Sequence, residues 1–424
     1  MFTKWIAETD ECPCGNKLFE QYNIQEYEND YEKFKQLPTE QRGKGLFSYI
    51  KTVRGMDIST AQMNYIKIQS EINQQLSSAS NLKILPIDYL TQSKAISDIL
   101  SSFEDESYIK DIYKKKKKNM KGDLKTDTAT TLVNCIKQGH SLLGAGQQAD
   151  ILAKPLIDFY AASAYVYAII VINSPIHKSL ESLKGSHGHV YDPNACTINF
   201  GGDIPRGTFL DLMCSLFISH IITDDIAIQY SLLNSIWMLQ NYKISLSLPA
   251  LLSMVPEIQK YYLQFDCEHK CAHEIKIDTK ITNPNYIDYN FYIGNGIEKP
   301  SNKNLQVAFK TDNIQEQQGA YKIVISSLEL SNITPTIYQD MQGNLWYIDS
   351  PISKIHLPEI CLHFLIISAL SNIMRYSPHK WNMIINNKIS PSFSLLITRY
   401  LRLFEQKFPM LIIQYLSYYL PIMQ

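Results

Sequence analysis

The chain has 424 residues, 45% of them hydrophobic and 19% charged, and its 40 Lys and Arg against 41 Asp and Glu leave a formal net charge of -1. That balance excludes a disordered chain, which needs low hydrophobicity and high net charge. It also excludes a surface built throughout for nucleic acid, which needs a basic excess. Only six of the basic residues are Arg, so dense bidentate reading of phosphates is not expected.

In chain order, residues 1–60 are polar and aromatic, with Tyr22, Tyr27, Tyr31 and Phe34 spaced loosely as on helices. The start lacks the basic residues and apolar run of an export signal, so a cytoplasmic location is expected. The eight Cys then read as reduced thiols. Residues 57–105 predict helix, with an extended dip at Ile84-Leu85-Pro86-Ile87. The five lysines Lys114 to Lys118 repel one another and predict a helix end followed by an exposed connection.

From 129 to 180 the pattern is strongly apolar and helical, with Gly144-Ala145-Gly146 read as a helix end and turn. A second long helix is expected over 150–172, with Pro155 near its start, where a missing amide proton does no harm. The apolar runs at 159–172 and 361–370 are shorter than a bilayer crossing and predict buried core helices, so no membrane attachment is expected. Glycines at 185, 188, 201 and 202 predict turns over 184–207. Helices return over 208–262.

Between about 271 and 350 the period becomes two. Glu274 to Asp278, Leu305 to Phe309, Tyr321 to Ile325 and Leu345 to Ile348 all alternate, and Asp340 to Asn344 reads as a hairpin turn. A sheet of four to six antiparallel strands follows. Helices are expected again at 357–375, 391–406 and 408–421. The fold class is therefore α+β and predominantly helical, with a small antiparallel sheet inserted between helical blocks. The division runs as an N-terminal helical extension over 1–128, a helical core with a Gly/His loop over 129–265, a β region over 266–350 and completing helices over 351–424.

Three constellations could carry chemistry. Cys267, His269, Cys271 and His273 offer soft ligands within seven residues, but a short straight segment cannot wrap all four around one tetrahedral zinc. No metal or cofactor is therefore expected. Lys184, His187 and His189 stand among glycines, a set suited to acid/base work or to holding a phosphate. Arg375 and Tyr376 end an apolar helix, as a latch or an anion contact. No serine-hydrolase elbow, zinc-protease, P-loop or kinase motif is present, and His140 suggests no nucleophile partner.

Four segments, in order, resemble the YaaC-like family of bacterial proteins. Lys154-Pro155-Leu156-Ile157-Asp158-Phe159-Tyr160 is similar to its Lys-Pro helix, and Ser186-His187-Gly188 to its Ala-His-Gly turn. The segment 248–257, LPALLSMVPE, is similar to its LLSxIPE helix. Met374-Arg375-Tyr376 through Trp381, with Lys407-Phe408-Pro409, resembles its ending. Ser377-Pro378-His379 stands where the family carries acidic residues.

The resemblance implies no reaction. It points to a cytosolic regulatory or interaction protein without catalysis, acting through a protein partner or a small anionic ligand such as a nucleotide. Lys154, Lys184, His187, His189, Arg375 and Tyr376 are the candidate contacts. The alternative is a helical ribonuclease of the HEPN type in phage defence, using Arg375 and His379. Nucleic acid is not the favoured partner.

Overall fold

A computed structural model describes residues 83–423, apart from 88–91, 117–123, 174–179, 219–225, 262–270, 295–298, 327–335 and several one- or two-residue positions. The expectations for residues 1–82 lie outside the described residues.

The chain enters through β1 (Lys83–Ile87), the extended dip seen in the sequence. Helices α1 (Gln92–Ser102), α2 (Glu106–Lys116), α3 (Thr126–Gln148) and α4 (Lys154–Asn173) follow. Helix α2 runs into the lysine cluster; Lys117 and Lys118 lie outside the described residues. Helix α3 does not end at Gly144-Ala145-Gly146 but continues to Gln148. At Gly146 and the earlier Gly139, α4 packs closely along the helix: a Cβ on Gly139 would come within 2.8 Å of the Tyr165 ring, and one on Gly146 would overlap the carboxylate of Asp158.

Helix α4 is the central helix. It packs against α3, α5 (Thr208–Ile218), α9 (Glu359–Tyr376) and α11 (Pro391–Leu416). It is the single helix among the described residues that is long and apolar enough to cross a membrane, and 78% of its apolar window is buried inside the protein. Its composition is thus accounted for by packing: Phe159, Ala162, Tyr165, Val166 and Ile169 all lie in one core.

Between α4 and α5 the glycine-rich stretch is more ordered than the turns expected there. Strands β2 (Val190–Asp192) and β3 (Thr197–Phe200) form a short antiparallel hairpin, extended by β4 (Ile244–Ser247) after helix α6 (Ile226–Asn241). Three- and four-residue strands are too short to show a period of two. β4 passes directly into α7 (Leu248–Ser253), where the Ser247 side chain accepts from the Ala250 amide as an N-cap. A 3₁₀ turn over Pro256–Ile258 follows.

The larger sheet has the strand order β7-β8-β6-β5-β10-β9 with every pairing antiparallel. Its strands are β5 (Ala272–Asn283), β6 (Tyr286–Ile293), β7 (Ile314–Gln317), β8 (Ala320–Ser326), β9 (Ile337–Gln339) and β10 (Leu345–Ile348). The β9–β10 turn is as expected. The Asp340 carboxylate accepts from the amides of Gln342 and Asn344 and from the Trp346 indole, and Gly343 takes φ 91°.

Residues 305–309 correct the sequence reading. They form helix α8 (Asn302–Phe309), not a strand, with Ser301 accepting from the Asn304 amide at its start. Leu305, Ala308 and Phe309 lie on one helical face and cover Ile275, Phe291, Ile293, Ile323 and Ile325 of the sheet.

Helices α9, α10 (Pro378–Ile385) and α11 close the core. The last helix is a second correction. It continues unbroken through Pro409 to Leu416, after which β11 (Tyr419–Met423) pairs in parallel with β1, Lys83 opposite Tyr419.

Candidate functional site

The segments that carry the family resemblance meet one another in space. Lys407, deep in α11, makes ion pairs at 3.0 Å with Glu257 of the 3₁₀ turn and with Glu359 at the start of α9. It also donates to the Gln339 carbonyl of β9. Burial alone would pull the ammonium down; Glu257 and Glu359 more than reverse this, so it stays charged. Burial pushes the Glu359 carboxyl up, against the pull of Lys407. This clamp joins four elements and is almost wholly buried. Removing one member of such a buried set leaves an uncompensated charge, so its role is structural.

A second meeting point lies at the exposed corner where α9 ends. The loop Ser186-His187-Gly188 is pinned to the start of α5, because Ser186 and His187 offer carbonyls to the Thr208 and Phe209 amides at 2.8 and 3.1 Å. Those amides are helix-terminal donors that have no partner within the helix. The crossing is close enough that a Cβ on Gly207 would overlap the Ser186 carbonyl, and Gly188 takes φ 79°.

The pinned loop sets the two imidazoles apart. His187 is exposed at one edge and meets the Phe159 ring edge-on, centroids 5.3 Å apart. Partial burial, and then the nearby Arg375 guanidinium, hold it below its ordinary range. Arg375 lies over the Tyr376 ring, 4.7 Å from its centroid, and donates to the Tyr376 hydroxyl. Both side chains are exposed, and among the described residues no carboxylate pairs with Arg375.

His189 turns inward instead. Its Nε2 is 2.8 Å from the Ser368 hydroxyl, Nδ1 is 3.2 Å from the His187 carbonyl, and Phe200, Phe209 and Phe364 surround the ring. Burial pushes it down to about 3, so it is a neutral core residue and not a ligand contact.

Lys154 does not point to this corner with a free charge. Its ammonium is paired with Glu405 of α11 and donates to the Gly146 carbonyl. Lys184 lies outside the described residues. Arg375 and His379 fall on different helices, since the chain bends by 115° between α9 and α10.

Of the four soft ligands at 267–273, Cys267 and His269 lie outside the described residues. Cys271 and His273 are buried, and burial pushes the Cys271 thiol up to about 11, which keeps it protonated. Among the described residues no group of three or more His, Cys, Asp and Glu could hold a metal ion.

A cavity of about 460 Å³ opens between α1, α3 and α11. Within its wall Ser97 of α1 places Oγ 3.0 Å from His140 Nε2, and His140 Nδ1 lies 2.7 Å from the Glu104 carboxylate. The sequence offered no motif for this group. Ser97 and Glu104 are seven apart, two helical turns, so they rise along one side of α1 and the turn after it. His140 comes from another helix, where only a knowledge of the α1–α3 packing could supply it.

A family model described as YaaC-like Protein matches residues 98–416 of the chain. The chain belongs to the YaaC-like family. The matched span of this YaaC-like chain runs from the middle of α1 to the end of α11, so it takes in the clamp, the corner and most of the cavity. No curated protein and no solved structure matches the chain.

Proposed function

We propose that this YaaC-like protein is a cytoplasmic regulatory or interaction protein that binds a small anionic ligand, such as a nucleotide, at the His187–Arg375 corner. One observation carries the reading: an exposed guanidinium is held over an aromatic ring, beside an imidazole on a rigid loop, with no carboxylate upon it among the described residues. A planar fork of donors suits phosphate or carboxylate oxygens, and an open ring face suits a base or sugar. Tyr376 is 65% exposed, which leaves that face available. Lys154 contributes indirectly, by fixing the start of α4.

Thermal unfolding against a panel of nucleotides and other phosphorylated metabolites tests this. A ligand at 100 times its Kd raises stability by about 2.7 kcal/mol, several degrees of Tm. The shift should shrink at least tenfold in ligand affinity for Arg375→Ala and His187→Ala. A flat response across the panel would sink the reading. Cleavage of RNA by the wild type, lost in Arg375→Ala and in His379→Ala, would replace it with the ribonuclease alternative.

A further inference from the structure

We propose that Ser97, His140 and Glu104 form a nucleophile–base–orienter triad, and that the cavity they line hydrolyses small carboxylic esters. The inference does not rest on the corner reading, and it departs from the expectation of a chain without catalysis.

Glu104 accepts from His140 Nδ1 at 2.7 Å, which fixes the proton on that nitrogen. Nε2 is then the acceptor, and the Ser97 hydroxyl 3.0 Å away is the donor. Both distances fall in the range required of a base that must take a proton, and a third group orients the base. His140 and Glu104 are only partly exposed, at 22% and 27% of their side chains, so the pair is neither sealed in the core nor free in water.

The surroundings add what an isolated triad lacks. The cavity lies within the size range of small-ligand sites. Ile96, Leu100, Leu143 and Pro409 give it an apolar side for an acyl group, and Gly144 leaves the floor open, since nothing lies within 4 Å of a Cβ placed there. Lys137, one turn before His140 on the same helix, lines the same cavity and gives it a positive edge.

In the reaction, Ser97 Oγ bonds to the ester carbonyl carbon while its proton passes to His140 Nε2. The tetrahedral oxyanion collapses, the C–O bond to the alcohol breaks, and His140 returns the proton to the departing alcohol. Water then attacks the acyl-serine, giving its proton to His140. Collapse releases the carboxylic acid and restores the Ser97 hydroxyl with that proton. Glu104 keeps the imidazole oriented throughout.

The test is labelling of the protein by a fluorophosphonate, which loses fluoride as Ser97 Oγ bonds to phosphorus, with the adduct located to a single residue by fragmentation of the labelled peptide. Hydrolysis of p-nitrophenyl acetate is followed alongside. The expected result is an adduct on Ser97 itself. Hydrolysis should fall at least a hundredfold in Ser97→Ala and in His140→Ala, and at least tenfold in Glu104→Gln. A saturating probe that leaves the Ser97 peptide of the wild type unmodified, or that settles on Ser101 or Ser141 instead, overturns the proposal. That reading needs no variant, so it stands even if a substitution fails to fold. Hydrolysis that persists in folded Ser97→Ala overturns it as well.

Discussion

Asp158 is wholly buried, and neither carboxyl oxygen has a hydrogen-bond partner. Burial, then the neighbouring Glu405, pushes it up to about 7, with Lys154 acting the other way. An unfolded Asp titrates near 3.8, so between about pH 4 and pH 7 the folded state holds a proton that the unfolded state has lost. Stability from this group is therefore full below pH 4 and is lost as the pH rises through 7. Asp158→Asn keeps the shape and removes the titration. In urea denaturation its stability relative to the wild type should climb over that window, by up to roughly 4 kcal/mol, and level off above it. A difference that stays flat from pH 4.5 to 8 would show that the group does not titrate there. The sequence showed Asp158 only as part of a family-like helix; its charge state depends on burial and then on Glu405, which a distant part of the sequence brings beside it.

Among the elements, the contact between α3 and α4 shows why glycine can mislead. Gly144-Ala145-Gly146 has the composition of a helix end, yet α3 runs through it, and at Gly146 α4 approaches too closely for a larger side chain. In an open helix Gly146→Ala would gain about 1 kcal/mol from propensity. Here the new Cβ meets Asp158 Oδ1, and overpacking of a filled core costs about 1–3 kcal/mol. The variant should unfold at lower urea, whereas Gly144→Ala, with open space around it, should match or exceed the wild type. Equal midpoints for the two variants would mean that the helices do not approach as described. Helix α8 misleads in the other direction. Leu305-Gln306-Val307-Ala308-Phe309 alternates like a strand, but Leu305, Ala308 and Phe309 also satisfy a helical face. Five residues cannot separate the two periods, and the Ser301 cap was the discriminating signal. Longer elements were legible: α9 and the first part of α11 follow their apolar period, and β5, β8 and β10 follow theirs. What the sequence could not show was the partnership between segments, and the candidate sites are made of partnerships. Arg375 was visible as an unexplained cation, whereas Ser97, Glu104 and His140 became a group only when α1 met α3.

At the scale of the whole molecule, the buried apolar residues among those described fall into two clusters. The larger joins the helices with the hairpin and with the near end of the big sheet, through Cys271, Ala272, Tyr338 and Ile348. The smaller lies between α8 and strands β5, β6, β8 and β10, around Phe309. Opening of the smaller cluster need not disturb α4 or α9. Phe309→Ala removes a ring packed on Phe291 and Tyr347, a change that costs about 3–5 kcal/mol. In native-state hydrogen exchange the amides of β6 and β8 should lose protection while those of α4 and α9 keep theirs. Equal loss in both sets would mean one cooperative unit.

The parallel pair of β1 and β11 has a consequence for how the molecule is made. β1 leaves the ribosome long before its partner is translated, and it can have no β11 to pair with until α11 has emerged. The same delay applies to Lys407, which neutralises Glu257 and Glu359, and to Glu405 and Pro409, which wall the cavity. A nascent chain therefore carries two buried-type carboxylates without their cation, and Ser97 without its enclosure, until α11 has been made. A message truncated before α11 would yield a chain that lacks both the partner strand of β1 and the cation of the clamp.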